Sequence, residues 1–246
     1  MSTRISIELV PRDAAALLAE AAEARHVAPC VLTVNIPDLL RFPLRSWDAC
    51  GTLRELFPNR IPHLRAMDFS EADVPALIDK LDANGVTEIL VVQGDPPQDL
   101  RKIHRTKSIE LIRWIHRVRP AMIIHGAFDP YRAGVKQELD SCKAKIDAGA
   151  RGFFTQPFFD LRFIEIYAEQ LQGIRVHWGL SPVLGDKSRA YWENRNNAVF
   201  PRGFQPTLEW NRDFARQALA AIREMDQDAY FMPIRCPIQD YLKEIL

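Results

Sequence analysis

Three polar side chains in this sequence stand in or at the ends of apolar segments, and their types suit proton transfer and ligand recognition. Glu8 lies within ISIELV, Asp95 follows EILVVQG, and Gln156 follows GFFT. An acid in an apolar strand needs a partner or a raised pKa, and a raised pKa would let it donate a proton near neutrality. A glutamine amide offers two donors and an acceptor, which suits a planar heterocycle. Together they predict a site that combines a proton donor with a heterocycle clamp.

Each of these residues also has a structural interpretation. Gln156 could satisfy neighbouring backbone groups instead of a ligand. Glu8 and His63, each taken alone, are more often satisfied structural groups than functional ones. The functional interpretation therefore depends on whether the fold brings these side chains to one place.

The segment from Lys145 to Asp160, KIDAGARGFFTQPFFD, changes its period within a few residues. A helical pattern runs from Val135 to Ala148, and Gly149 is expected to close that helix. The apolar run that follows predicts a strand over 152–156. Pro157 is expected to stop backbone pairing there, because proline has no N–H to donate.

Short apolar runs alternate with amphipathic stretches along the whole chain, which is typical of strands and helices in alternation. The predicted strands are Ile5 to Val10, Cys30 to Ile36, His63 to Met67, Glu88 to Gln93, Ala121 to Ala127, Gly152 to Gln156, Arg175 to Leu180 and Ala229 to Ile234. The predicted helices are Arg12 to Arg25, Ser70 to Asn84, Thr106 to Val118, Val135 to Ala148, Leu161 to Leu171 and Thr207 to Met225. Trp47 to Leu56 is a further candidate helix, and Lys187 to Asn197 is either a helix or a long loop.

Eight strand–helix alternations in 246 residues predict an α/β fold, a single (β/α)8 TIM barrel that forms one domain over residues 1–246. A doubly wound open sheet is the alternative. That alternative lacks support, because no G-x-G-x-x-G or G-x-x-x-x-G-K-[ST] motif is present. In a barrel of this kind the functional groups collect at the carboxyl ends of the strands, so Glu8, Asp95 and Gln156 are expected to converge there.

Composition points to a small-molecule partner. The chain carries 32 basic and 32 acidic residues, so its net charge indicates neither a nucleic acid nor a membrane surface as a partner. The four cysteines are far apart and form no C-x-x-C motif, which favours reduced thiols. No signal pattern stands at the N-terminus and no apolar run approaches a membrane span, so the cytoplasm is the predicted location.

Several segments resemble the methylenetetrahydrofolate reductase family, in order and with the right barrel units between them. They are SIELVP, IPHLRAMD, EILVVQGDPP, CKAKIDAGARGFFTQPFFD and WGLSPV. The resemblance implies a (β/α)8 fold and reduction of 5,10-methylenetetrahydrofolate to 5-methyltetrahydrofolate by NADH or NADPH. Members of the family usually relay the hydride through FAD.

The resemblance also implies roles for individual residues. Glu8 stands at the position of the catalytic acid, which helps to open the imidazolidine ring to an iminium. Asp95 stands at the position that contacts the pterin, and Gln156 at the position that hydrogen-bonds the folate. The cofactor-binding positions that the resemblance marks are occupied here by His63, Gln93, Gly94, Tyr131 and Lys145.

The flavin positions depart from the family pattern. Gln93 replaces an arginine before Gly-Asp, and Ser141 and Ala144 replace an asparagine and an arginine. A basic run, residues 101–107, follows GDPP; it is either a solvated helix face or a partner for an anionic cofactor or the glutamate tail of folate. Either FAD binds weakly through substituted contacts, or the hydride passes directly from the nicotinamide to the folate.

A protein of another class would also fit these residues. A folate-binding carrier or regulatory protein could keep the pterin clamp and lose turnover. Retention of Glu8 favours the enzyme, because binding alone does not need an acid at that position.

Overall fold

Eight parallel strands close into a barrel in chain order in this computed structural model, which describes residues 3–97 and 103–246. The strands are β1 Ile5–Glu8, β2 Thr33–Ile36, β3 Asn59–Arg65, β4 Glu88–Val92, β5 Ile123–Phe128, β6 Gly152–Pro157, β7 Arg175–Leu180 and β8 Asp228–Phe231. Strand β8 pairs with β1, so the sheet has no free edge. The fold is a single (β/α)8 TIM barrel, as predicted.

Helices follow the strands and pack around the barrel. They are α1 Ala14–Val27, α2 Ser46–Thr52, α3 Val74–Ala83, α4 Ser108–Val118, α5 Val135–Asp147, α6 Leu161–Gln170, α7 Gly185–Asn196, α8 Leu208–Glu224 and α9 Ile238–Leu242. Their buried faces and the outward side chains of the strands form the main apolar core.

Local sequence signals explain where several helices begin and end. The backbone N–H of Ser70 donates to Oδ2 of Asp73 at 2.7 Å, in the turn that leads into α3. Gly85 follows α3 with a φ of 65°, and Gly149 follows α5 with a φ of 117°. Glycine reaches positive φ without a steric penalty, so both residues let the chain leave its helix and return to the next strand.

Every predicted strand is present; β7 has the predicted bounds, and the other strands have shifted ones. Strand β3 begins at Asn59, four residues before the predicted start at His63. Residues 185–196 form helix α7, which settles the connection that the sequence left open, and the five-residue helix α9 was not predicted.

The prediction that Pro157 stops pairing is wrong. Pro157 remains in β6 opposite Gly179 of β7, after an irregularity in register that follows Phe154. The next residue, Phe158, donates its N–H to the carbonyl of Gly179 at 3.0 Å. The ladder therefore passes the proline by using a neighbouring donor.

The interior of the barrel is layered. A middle layer is apolar and is formed by Ile61, Leu90, Phe154 and Tyr230. Below it, towards the amino ends of the strands, lies a charged cluster of Arg4, Glu88, His125, His177 and Asp228, of which all but the partly exposed Arg4 are buried. Above it, at the carboxyl ends, lies a cavity that is open to solvent.

The charged cluster joins strands that are distant in sequence. Arg4 donates to both carboxylate oxygens of Glu88 at 2.7 Å, and Nε2 of His125 lies 2.7 Å from Oε1 of Glu88. These partners hold the pKa of Glu88 below its usual value, at about 2, although burial acts in the opposite direction. The carboxylate therefore ties the residue before β1 to β4 and β5 at the amino ends of the strands.

All four cysteines are free thiols, and Cys30 alone among them is exposed. In residues 3–97 and 103–246, no group of three or more His, Cys, Asp or Glu side chains is arranged to hold a metal ion. No helix in these ranges is long and apolar enough to span a bilayer.

Candidate functional site

A cavity of about 510 Å³ lies at the carboxyl ends of the strands. Glu8 at the end of β1, Asp95 after β4 and Gln156 near the end of β6 all line it. The convergence that the sequence predicted from strand ends is therefore present in the structure. A second cavity of about 430 Å³ lies beside the first and shares Glu8 and Met232 with it.

Glu8 is an acid of this site with only 12% of its side chain exposed. Burial raises its pKa from 4.5 to about 7, and a hydrogen bond from Asn35 acts in the opposite direction. Nδ2 of Asn35 donates to Oε2 of Glu8 at 3.0 Å. Glu8 therefore has both a partner and a raised pKa, and it can hold a proton close to neutral pH.

His63 lies beside this pair on β3 and also lines the cavity. Nδ2 of Asn35 is 3.2 Å from Nε2 of His63, while Nε2 is 4.0 Å from Oε2 of Glu8. Burial lowers the pKa of His63 to about 3. The imidazole is therefore neutral at physiological pH, and it faces the cavity as a hydrogen-bonding group without charge.

Asp95 is presented by a sharp turn after β4. Gly94 has a φ of 84°, and a Cβ at this position would come within 3.2 Å of the side chains of Arg65 and Met67. Nη2 of Arg65 donates to the carbonyl of Asp95 at 2.7 Å, and its Nε donates to Asp68. Asp95 lines the cavity on a turn that Arg65 holds in place.

Gln156 and Gln93 both line the cavity, but their amides are used differently. Nε2 of Gln93 donates to the carbonyl of Thr106 at 3.0 Å, and its Oε1 accepts from the N–H of Ser108 at 3.0 Å. Within the part of the chain that the structure describes, the Gln156 side chain makes no hydrogen bond. Gln93 thus fixes the start of α4, whereas the Gln156 amide at the cavity is left without a partner among the described residues.

Tyr131 and Lys145 lie outside the lining of the cavity. The Tyr131 hydroxyl donates to the carbonyl of Pro157 at 3.0 Å. Nζ of Lys145 donates to the carbonyl of Ala127 at 2.5 Å, and the residue is 3% exposed. The structure thus brings His63, Gln93 and Gly94 to the cavity and leaves these two against the backbone of β5 and β6.

The basic run of residues 101–107 is only partly described, because Arg101 and Lys102 lie outside the described ranges. Arg105 and Lys107 are exposed, and neither lines the cavity. Ser141 and Ala144, on α5, do not line it either.

Sequence reasoning missed several residues of the site. Asn35 and Arg65 were not singled out, although each is a polar residue inside a buried strand. Asp129 lines the cavity after β5, where burial raises its pKa, and Arg132 lies beside it and pairs with Glu138 at 3.1 Å. The signal in the sequence was the polar side chain in an apolar run, which pointed to Glu8 and applies equally to Asn35.

The model of the family "Methylenetetrahydrofolate reductase" matches residues 50–209, which is more than half of the chain. The chain belongs to the methylenetetrahydrofolate reductase family. The matched region contains Asp95 and Gln156, and Glu8 precedes it.

Curated members of the reductase family align with 57–58% of the chain at modest identity. A probable NADPH-type methylenetetrahydrofolate reductase of Caenorhabditis elegans is 27% identical over 152 residues, which cover 57% of this chain and 22% of that protein. The 5,10-methylenetetrahydrofolate reductase of Escherichia coli is 23% identical over 146 residues, 57% of this chain and 49% of that protein. The matched region spans about half or less of these relatives.

Solved structures share the fold of this reductase-family chain. A protein from Clostridium thermocellum that binds two copies of 5-methyl-5,6,7,8-tetrahydrofolic acid superposes with a TM-score of 0.64. It is 13% identical, and the match covers 98% of this chain and 93% of that one. A 2,3-dimethylmalate lyase superposes with a TM-score of 0.60 at 11% identity, over 95% of this chain and 75% of its own. At such identities the likeness shows the barrel fold alone.

Proposed function

We propose that this protein reduces 5,10-methylenetetrahydrofolate to 5-methyltetrahydrofolate with NADH or NADPH. One observation carries the proposal: Glu8, whose pKa is raised to about 7, lines the same cavity as Asp95 and Gln156. Membership of the reductase family supports it. A carboxyl group that is protonated near neutrality beside two polar ligand-binding groups is what ring opening of this substrate requires.

Each side chain has a distinct part in the proposed reaction. Glu8 donates its proton to the ring nitrogen that leaves the methylene carbon, and the carbon becomes an iminium. The carboxylate of Asp95 stabilises that cation while hydride from the nicotinamide converts it to a methyl group. The unused amide of Gln156 hydrogen-bonds the pterin and sets its orientation.

The residues at the family's flavin positions do not fit FAD well in this chain. The Gln93 amide is occupied by backbone groups of residues 106 and 108, and Lys145 and Tyr131 are bonded to the backbone outside the cavity. We therefore propose direct hydride transfer, with the nicotinamide between Asp95 and the loop around Phe128. Protein stripped of flavin should reduce the folate with sequential kinetics; FAD that survives gel filtration, with ping-pong kinetics, would contradict this.

The variant Glu8→Gln tests the proposed acid. It keeps the shape of the side chain and removes the proton donor, so turnover should fall about 100-fold or more, while the affinity for the folate changes little. Oxidation of NADH or NADPH with methylenetetrahydrofolate measures the first, and calorimetric titration with methyltetrahydrofolate measures the second. Glu209→Gln, on the exposed face of α8, is the control and should keep full activity.

The same measurements separate the enzyme from a carrier. A folate-binding carrier or regulatory protein would bind the folate and oxidise neither nucleotide at any pH. Unchanged turnover in Glu8→Gln would remove Glu8 from the mechanism and leave the reductase proposal without its proton donor.

A further inference from the structure

We propose that Asn35, held by Ser6, is a positioning residue that sets the proton affinity of Glu8 and the tautomer of His63. The inference rests on the proposed role of Glu8 as proton donor. Glu8 and Asn35 are direct partners in the β1–β2 ladder. Register therefore places the Asn35 amide beside the carboxyl group that the reaction uses.

The hydrogen bond from Ser6 fixes the orientation of the Asn35 amide. The Ser6 hydroxyl donates to Oδ1 of Asn35 at 2.7 Å, which leaves Nδ2 facing Glu8. Ser6 and Asn35 are both fully buried, so water does not compete for either group. An amide N–H donated to a carboxylate stabilises the charged form, and it opposes the effect of burial on Glu8. Asn35 therefore limits the rise that burial causes in the pKa of Glu8, so Glu8 can release its proton more readily.

Asn35 also acts on His63. Its Nδ2 lies 3.2 Å from Nε2 of His63, so Nε2 accepts and the single proton of the neutral ring resides on Nδ1. The 4.0 Å between Nε2 and Oε2 of Glu8 is too long for a hydrogen bond. His63 lines the cavity, and in this tautomer its ring carries a hydrogen-bond donor at Nδ1.

Other ionisable groups line the two cavities that Glu8 also lines. In the larger cavity they are Asp38, His63, Arg65, Asp95, Asp129, Arg132 and Tyr230, and in the smaller cavity Arg12, Glu20, Glu23, Arg41, Arg235 and Cys236. Within residues 3–97 and 103–246, Asn35 is the group that hydrogen-bonds the Glu8 carboxyl. These other groups remain in place in the variants described next, so a change in the titration of Glu8 reports on Asn35.

The test is a titration of the ligand-free protein. With 13C-labelled glutamate, the carboxyl signal of Glu8 is identified by its loss in Glu8→Gln and followed against pH. Asn35→Leu should raise the midpoint by about one to two pH units, because a hydrogen bond to a charged group is lost. Ser6→Ala should shift it in the same direction by less, because the freed amide can turn Oδ1 towards Glu8, and an oxygen accepts only from the protonated acid.

Two further measurements distinguish positioning from general stability. The 15N shifts of the His63 ring should show the Nδ1–H tautomer in the parent and a mixture in both variants. Thr33→Val is the matched control: Thr33 is a buried interior residue of the same strand that accepts from Nε of Arg4, and its loss should move neither signal. If turnover is present, its alkaline limit should move upward by the same interval as the Glu8 midpoint.

An unchanged midpoint and an unchanged His63 tautomer in folded Ser6→Ala and Asn35→Leu would overturn the inference. If Asn35→Leu does not fold, Ser6→Ala alone decides it, because that change removes one hydroxyl group. The titration needs no substrate, so a parent protein without turnover would refute the proposed reaction and still leave this inference to be decided by the Glu8 signal.

Discussion

At the scale of one residue, the retained proton of Glu8 lowers the stability of the folded protein as the pH rises. Its pKa in the folded protein is about 7 against an ordinary value of 4.5, so between these pH values the folded state keeps a proton that the unfolded chain has released. The contribution of Glu8 to the free energy of unfolding is therefore fully present below pH 4.5 and is lost as the pH rises to 7.

Glu8→Gln should remove that loss. The variant should become more stable than the parent as the pH rises from 4.5 to 7, by an amount on the order of 3 kcal/mol above pH 7. Urea denaturation of both proteins at several pH values measures the difference. Equal dependence of the two on pH would show that Glu8 titrates normally in the folded state.

The unused amide of Gln156 predicts a different result from the occupied amide of Gln93. Gln156→Ala should weaken folate binding by about 1–3 kcal/mol with little change in melting temperature, because a ligand group loses its partner. Gln93→Ala should lower the melting temperature instead, because it frees the start of α4. Calorimetric titration and thermal melts of both variants decide between them; a large stability loss in Gln156→Ala with normal folate affinity would support the structural interpretation.

The turn after β4 is the element that depends most on one backbone conformation. Gly94→Ala places a side chain at a φ of 84° and within 3.2 Å of Arg65. We expect a loss of about 1–2 kcal/mol in unfolding free energy and weaker folate binding, because Asp95 moves with the turn. Gly203→Ala is the control, since nothing lies within 4 Å of its new Cβ. Denaturant unfolding and folate titration of both variants measure the effects, and equal behaviour of the two would contradict the prediction.

At the scale of the element, periodicity predicted the strands well because each is a short apolar run between helical patterns. The prediction for β3 began too late because the first residues of the strand, Asn59 and Arg60, are polar. Helix α9 was missed because five residues show no helical period. Pairing through Pro157 depends on a register irregularity between β6 and β7, and no local sequence signal specifies it.

The sequence could predict the site residues whose side chains are unusual in their segment, namely polar side chains in or at the ends of apolar runs. Glu8, Asp95 and Gln156 met that condition, and barrel geometry placed them in one cavity. Asn35 acts through Glu8 on the neighbouring strand and Arg65 through Asp95 in the turn after the neighbouring strand, so their contribution depends on strand register. The same reason hid the cluster around Glu88, whose partners Arg4 and His125 are 84 and 37 residues away.

At the scale of the whole molecule, the Glu88 cluster should govern resistance to acid. In the folded protein the pKa of Glu88 is about 2, below the ordinary 4.5. The stabilisation that Glu88 provides is therefore complete above pH 4.5 and is lost as the pH falls towards 2. Glu88→Gln should cost about 3–5 kcal/mol at neutral pH, because Arg4 and His125 lose their buried partner.

Chemical denaturation between pH 2 and pH 7 tests this expectation. The difference between Glu88→Gln and the parent should shrink as the pH approaches 2. Asp147→Asn is the control, since Asp147 forms an exposed pair with Lys143 on α5 and should change stability little at any pH. A difference for Glu88→Gln that stays constant down to pH 2 would show that the cluster does not carry this dependence.

The apolar layer of Ile61, Leu90, Phe154 and Tyr230 has a consequence for how this protein can evolve. It separates Glu8 in the cavity from the charged cluster at the amino ends of the strands, so the two share no hydrogen-bonding partner in the residues that the structure describes. Substitutions in the two regions should then combine additively. A lineage could therefore gain or lose acid tolerance at one end of the barrel while selection for the reaction acts at the other.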